Sequence, residues 1–159
     1  MRSSLILTLS GADKPGLVDS LAQVVRDEGG NWEESRMSRL AGQFAGVVHV
    51  TAPAEKRDAL ASAVRDVPGL TVALHSAGGE HATGDAYELE LVGAAHEGIV
   101  SRVSRVLASG DVSLEELWTG REEAPQGRSM GAEWLYWRRF SGGGDGDLFA
   151  DRHQPPSRD

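Results

Sequence analysis

Shifting the sequence by 82 residues lays one stretch of it onto another, and no other feature constrains the fold as tightly. Leu7 falls on Leu89, Leu9 on Leu91, Gly11 on Gly93 and Gly16 on Gly98. Leu17 then meets Ile99, Val18 meets Val100, Leu21 meets Val103 and Val24 meets Val106, with no gap. Two unrelated amphipathic segments would share some apolar positions by chance. They would not readily share both glycines as well. A unit of small-domain size therefore occurs twice, and 159 residues leave room for two small domains.

The first copy sets the pattern. Leu5, Leu7 and Leu9 alternate with Ile6 and Thr8 as in a short buried strand. Leu17, Val18, Leu21, Val24 and Val25 follow helical spacing, with Asp19, Arg26 and Asp27 turned away. Gly29-Gly30 stops that helix. Asn31 to Leu40 is mostly polar and reads as an edge strand. Ala41-Gly42-Gln43 is a turn, and the strand after it puts Phe44, Val48 and Val50 on one face. Pro53 opens a second helix with Leu60, Ala61, Val64 and Val67 inward, and Pro68-Gly69 ends it. Leu70, Val72 and Leu74 close the unit. Strand, helix, strand, strand, helix, strand gives an α+β, ferredoxin-like arrangement with two helices on one face of an antiparallel sheet.

The turn Ser10-Gly11-Ala12-Asp13-Lys14-Pro15-Gly16-Leu17-Val18 concentrates the chemistry. Pro15 suits a first helical turn. Asp13 can accept hydrogen bonds from orphan N–H groups at a helix start. Gly16 leaves bare backbone where a ligand can approach. The turn is a small anion-accepting nook or, more simply, a tight loop with a cap.

Asp13-Lys14-Pro15-Gly16 between strand and helix, with Gly30-Asn31 after that helix, resembles the first loop of an ACT domain. ACT domains are small regulatory modules that usually bind amino acids. The resemblance implies a ligand site at Asp13, Lys14, Pro15, Gly16, Leu17 and Asn31. A ligand ammonium would meet the Asp13 carboxylate or the Asn31 side-chain oxygen. Its carboxylate would meet backbone N–H groups around Pro15-Gly16-Leu17, although Pro15 has none of its own. In the second copy Asp13 corresponds to Ala95, Lys14 to His96, Pro15 to Glu97 and Asn31 to Ser113. Its loop, with His96, Gly98 and Ile99, is the weaker candidate. A lone loop histidine is more often solvated than a ligand.

Tandem ACT domains without an attached enzyme resemble the glycine cleavage system transcriptional repressor family, over roughly residues 3 to 120. That likeness implies an amino-acid-sensing regulator of transcription, with glycine as a candidate ligand, acting through partner proteins without reading DNA. The alternatives are a detached effector-binding subunit of a metabolic enzyme and a purely structural dimer. The polar strand at 31–40 and an incomplete second domain both leave sheet edges, so a homodimer joined partly edge to edge is expected.

The second copy departs from the first after its helix. Val112, Leu114, Leu117 and Trp118 mark its second strand, Gly120 to Gly131 a long polar loop, and Glu133 to Phe140 a third strand. No second helix or closing strand is evident. The expected division is a first ACT-like domain at 1–76, a linker at 77–84, an incomplete second ACT-like domain at 85–140, and a disordered tail at 141–159 with little that is apolar.

Composition narrows the function further. Sixteen basic against twenty-four acidic residues give a net charge of −8, which argues against an extended phosphate-binding surface. Trp134, Tyr136 and Trp137 beside Arg138-Arg139 could stack bases, but in so acidic a chain a strand's core face is the better reading. There is no cysteine, which excludes disulfides and thiolate chemistry. His49, His75, His81, His96 and His153 show no metal-ligand spacing. Glu33-Glu34 and Glu122-Glu123 read as solvated faces. No nucleophile elbow or phosphate loop occurs. No apolar run approaches the ~18 residues of a membrane span. The expectation is a soluble cytoplasmic protein, neither an enzyme nor a cofactor or metal binder.

Overall fold

The computed structural model describes residues 1–79, 85–94, 97–122 and 132–142. The chain divides into two compact units, Met1–Gly79 and Glu80–Asp159.

The first unit runs β1 (Arg2–Ala12), α1 (Leu17–Asp27), β2 (Asn31–Leu40), β3 (Gln43–Pro53), α2 (Arg57–Arg65) and β4 (Thr71–Ser76). A 3₁₀ turn, Ala54–Lys56, leads into α2, so Pro53 ends a strand and does not open the helix. The sheet is antiparallel, in the order β2-β3-β1-β4. Strand alternation turns Leu5, Leu7 and Leu9 inward, where they are buried with Val48, Val50 and Ala52 of β3 and Val72 of β4. The helices cover this face with Leu17, Leu21 and Val25 from α1 and Leu60 and Val64 from α2. Phe44, Trp32 and Met37 pack partly against the same core. Val18, expected on the inward face, is exposed. It sits about a hundred degrees round the helix from Leu17, off the stripe that the four-residue spacing of Leu17, Leu21 and Val25 defines.

Helix α1 stops as its glycines require. Gly29 adopts φ +72°, its N–H donates to the Arg26 carbonyl, and the Gly30 N–H donates to the Val25 carbonyl. This is a Schellman ending. The chain then turns directly into β2, whose far end joins β3 through Ala41 (φ +49°) and Gly42 (φ +79°). Two left-handed residues in a two-residue connection make a hairpin turn with the twist that the strands need.

The second unit runs β5 (Asp85–Ala94), α3 (Ile99–Ser109), β6 (Val112–Glu122) and β7 (Ala132–Gly142), with antiparallel order β5-β7-β6. At the 82-residue shift, both ends of α3 fall on those of α1. β7 sits between β5 and β6 as β3 sits between β1 and β2. Nine residues connect β6 to β7 where two connect β2 to β3. β6 continues to Glu122, past the start of the expected polar loop, and β7 takes up Ser141 and Gly142, which the sequence assigned to the tail. The rest of the expected tail, 143–159, lies outside the described residues, as do His81, His96 and His153. Neither a second helix nor a fourth strand follows β7 among the described residues.

Candidate functional site

The loop from Asp13 to Gly16 is held between two fixed points. Behind it, β1 is paired to Ala12. Ahead of it, Gly16 caps α1 in the left-handed conformation, with φ +86°, and its carbonyl accepts the Ser20 N–H at 2.9 Å. Asp13 does not cap the helix, contrary to the sequence expectation. Its N–H donates to the Gly42 carbonyl at 2.9 Å, and its Oδ2 accepts from Arg39 Nη1 at 3.1 Å. The short loop therefore leans on the β2–β3 hairpin, and the carboxylate is drawn to the cation there. Pro15 precedes the helix cap and lies outside the first helical turn.

No side chain caps α1, so its first backbone N–H groups have neither an intrahelical acceptor nor a side-chain one. Asp13, Lys14, Pro15 and Gly16 are exposed, whereas the Leu17 side chain is in the core and can offer a ligand only its backbone. The loop thus presents positive helix-end donors beside one carboxylate and one guanidinium. That pairing suits a ligand carrying both an anionic and a cationic group. Arg39 and Gly42 were not among the sequence candidates. Their place in the site depends on the hairpin register, which no local motif encodes.

Asn31 does not join this loop within one chain. It pairs with Thr51, which pairs with Ser4, whereas the loop follows Ala12, which pairs with Gln43. Eight residues of β3 separate those rows, about 26 Å at strand spacing. A helix that runs back across the sheet carries Asn31 to the opposite end, the reverse of the proximity expected from sequence. At that end Asn31 Nδ2 donates to Glu33 Oε1 at 2.9 Å, and Thr51 Oγ1 donates to the same oxygen at 2.6 Å. Arg2 Nη2 donates to Thr51 Oγ1 at 3.0 Å, adding a cation to the cluster. The hydrogen bonds from Thr51 and then Asn31 hold the Glu33 carboxyl below its usual range.

The start of α3 repeats the glycine cap of α1. Gly98 caps α3 with φ +80°, and its carbonyl accepts the Arg102 N–H at 3.0 Å. Ile99 starts the helix, and no side chain caps it. Among the described residues no group of three or more His, Asp or Glu is placed to hold a metal ion, and no helix is long and apolar enough to cross a membrane. His49 and His75 lie on strands, with Ser4 Oγ 2.6 Å from His49 Nε2.

Comparison with known proteins bears on the fold. The profile of the ACT domain family matches residues 3–77. A crystal structure of a protein of unknown function from Galdieria sulphuraria is similar over 89% of this chain and 84% of that one, with 29% identity and a TM-score of 0.79. A crystal structure named for a proposed role as glycine cleavage system transcriptional repressor shares the fold over 87% of this chain and 81% of that one, with 16% identity and a TM-score of 0.62. No curated protein matches the sequence. The ferredoxin-like first unit, its glycine-capped loop and the family match converge: residues 3–77 are an ACT domain, a regulatory module.

Proposed function

We propose that this protein is a cytoplasmic amino-acid-sensing regulator that works as a homodimer and passes its signal to a partner protein without reading DNA itself. The uncapped start of α1 beside the Asp13–Arg39 pair carries the reading. An α-amino acid offers a carboxylate for the N–H groups at Gly16 and Leu17, and an ammonium for Asp13. A small side chain suits a loop held this close to the hairpin. Glycine comes first among candidates, in keeping with the name of the second structural neighbour.

The separation of Asn31 from the loop supplies the reason for a dimer. β2 is the outer strand of the sheet, so its open edge can meet another copy. Two β2 edges related by a two-fold axis run antiparallel, which brings the Asn31 end of one beside the Arg39 end of the other. The partner subunit's Asn31 would then close the site that the loop begins. Its Nδ2 is already committed to Glu33, which leaves Oδ1 to accept from a ligand ammonium.

A thermal-shift screen of the twenty amino acids, followed by calorimetry on the best ligand, tests the reading. Asn31→Ala and Asp13→Asn should each weaken binding by about 0.5–3 kcal/mol, the cost of a hydrogen bond to a charged or neutral group. No shift with any amino acid, or unchanged affinity in both variants, would remove the loop as a sensing site.

A further inference from the structure

Among the described residues, the second unit repeats the first unit's helix-on-sheet packing without its second helix. Leu7 and Leu9 are buried, whereas their equivalents Leu89 and Leu91 are only half-buried. Val24 packs against the first core, and its equivalent Val106 is 56% exposed. In the first unit α2 closes this flank. It packs on α1, β3 and β4 and buries Leu60 and Val64 completely. No helix takes that seat among the described residues of the second unit. The sequence from 143 to 159 has no apolar pair at the four-residue spacing of Leu60 and Val64.

Charge distinguishes the occupants. Along α3 the basic side chains are Arg102 and Arg105, both exposed, with no carboxylate on the helix. Arg102 lies one helical turn before Val106 and so shares its side of the helix. Two copies packed flank to flank would bring arginine against arginine, which disfavours self-pairing. We infer that this flank of α3 and β5 receives an amphipathic helix from another protein, with apolar residues at i and i+4 on Leu89, Leu91 and Val106, and carboxylates facing Arg102 and Arg105. This is helix-in-groove recognition. It assigns a surface to the partner interaction proposed above and rests on that reading.

The probe is a fluorescein-labelled peptide of this chain's residues 53–68 carrying Lys56→Glu, Arg57→Glu and Arg65→Glu, titrated with the full-length protein by anisotropy. Saturable binding in the micromolar range is expected, about tenfold weaker with Val106→Glu and about tenfold weaker with Arg102→Glu plus Arg105→Glu. All three substitutions fall on exposed positions, and circular dichroism checks that the fold is kept. No binding up to about 1 mM, or equal affinity in both variants, overturns the proposal. A dimer that Val106→Glu dissolves would give the flank to a second copy. Tighter peptide binding in Leu148→Ser plus Phe149→Ser would give it to the chain's own end. Either result overturns the assignment to another protein. Calorimetry with amino acids on the same samples is a separate readout, so absence of helix binding to the unsubstituted protein with intact amino-acid binding refutes this surface alone.

Discussion

A methyl group on Gly11 would stand 2.1 Å from the carbonyl oxygen of Gly69, in the turn between α2 and β4. That oxygen is backbone and cannot swing aside. Gly11→Ala should therefore destabilise the first unit by about 1–3 kcal/mol, the usual cost of overpacking. Chemical denaturation measures it, and a change within error would mean that the turn yields freely. The sequence showed Gly11 repeated at Gly93 but not the reason, because the close approach joins residues 58 positions apart. Asp13 was legible as a polar loop residue and not as the partner of Arg39, since a carboxylate near a helix start looks like a cap until the hairpin is in place. Glu33 gives a pH test. Its folded value lies below the ordinary carboxylate value of 4.5, through Thr51 first and Asn31 second. The native state therefore binds fewer protons there than the unfolded chain. Its stabilising contribution is present above the unfolded value and is lost as pH falls through the folded one. Thr51→Val should raise the Glu33 midpoint in an NMR titration, and by more than Asn31→Ala does. The opposite order would reverse the ranking of the two bonds.

At the scale of elements, the helices were read well because their stripes and stops are local. Leu17, Leu21 and Val25 recur every four residues, and Gly29 supplies the left-handed ending four residues after the last of them. The strands were found, but their register was not. A strand pattern says which residues share a face and nothing about which end meets which loop. This is why the resemblance groups Asn31 with Gly16 in one site when the sheet puts it at the opposite end. The repeat also exposes a local strain. Asp111 occupies the position of Gly29, with φ +54°, and its N–H makes the equivalent bond to the Ala108 carbonyl at 3.1 Å. Aspartate tolerates this conformation at a cost that glycine avoids. Asp111→Gly should stabilise the second unit by about 0.5–1 kcal/mol, with the reverse change at Gly29→Asp in the first. Thermal melts of both variants check the pair. A destabilised Asp111→Gly would show that the Asp111 side chain contributes more than its backbone geometry costs.

At the scale of the molecule, the two units repeat one strand-helix plan, and among the described residues equivalent positions are covered unequally. Fourteen buried apolar residues form the first core, spread over three strands, two helices and the turn between α2 and β4. In the second, Leu107 is the buried residue among those described, with Leu89, Leu91, Ile99, Val100, Val103 and Val112 partly covered around it. Apolar burial contributes roughly 25 cal/mol per Å² removed from water, and Leu89 and Leu91 of β5 are half-buried where Leu7 and Leu9 of β1 are buried, so β5 has less to set against the entropy of ordering its chain. Its backbone hydrogen bonds should open more often. Hydrogen exchange followed by mass spectrometry compares the two directly, because β1 and β5 occupy equivalent places in the repeat. Peptides spanning β5 and α3 should exchange at least about tenfold faster than those spanning β1 and α1. The acidic helix probe should narrow that difference by slowing β5 and α3 while leaving β1 and α1 unchanged. Equal protection of β1 and β5 without the probe would mean that the second core is as well closed as the first, and would remove the energetic reason for it to recruit a helix.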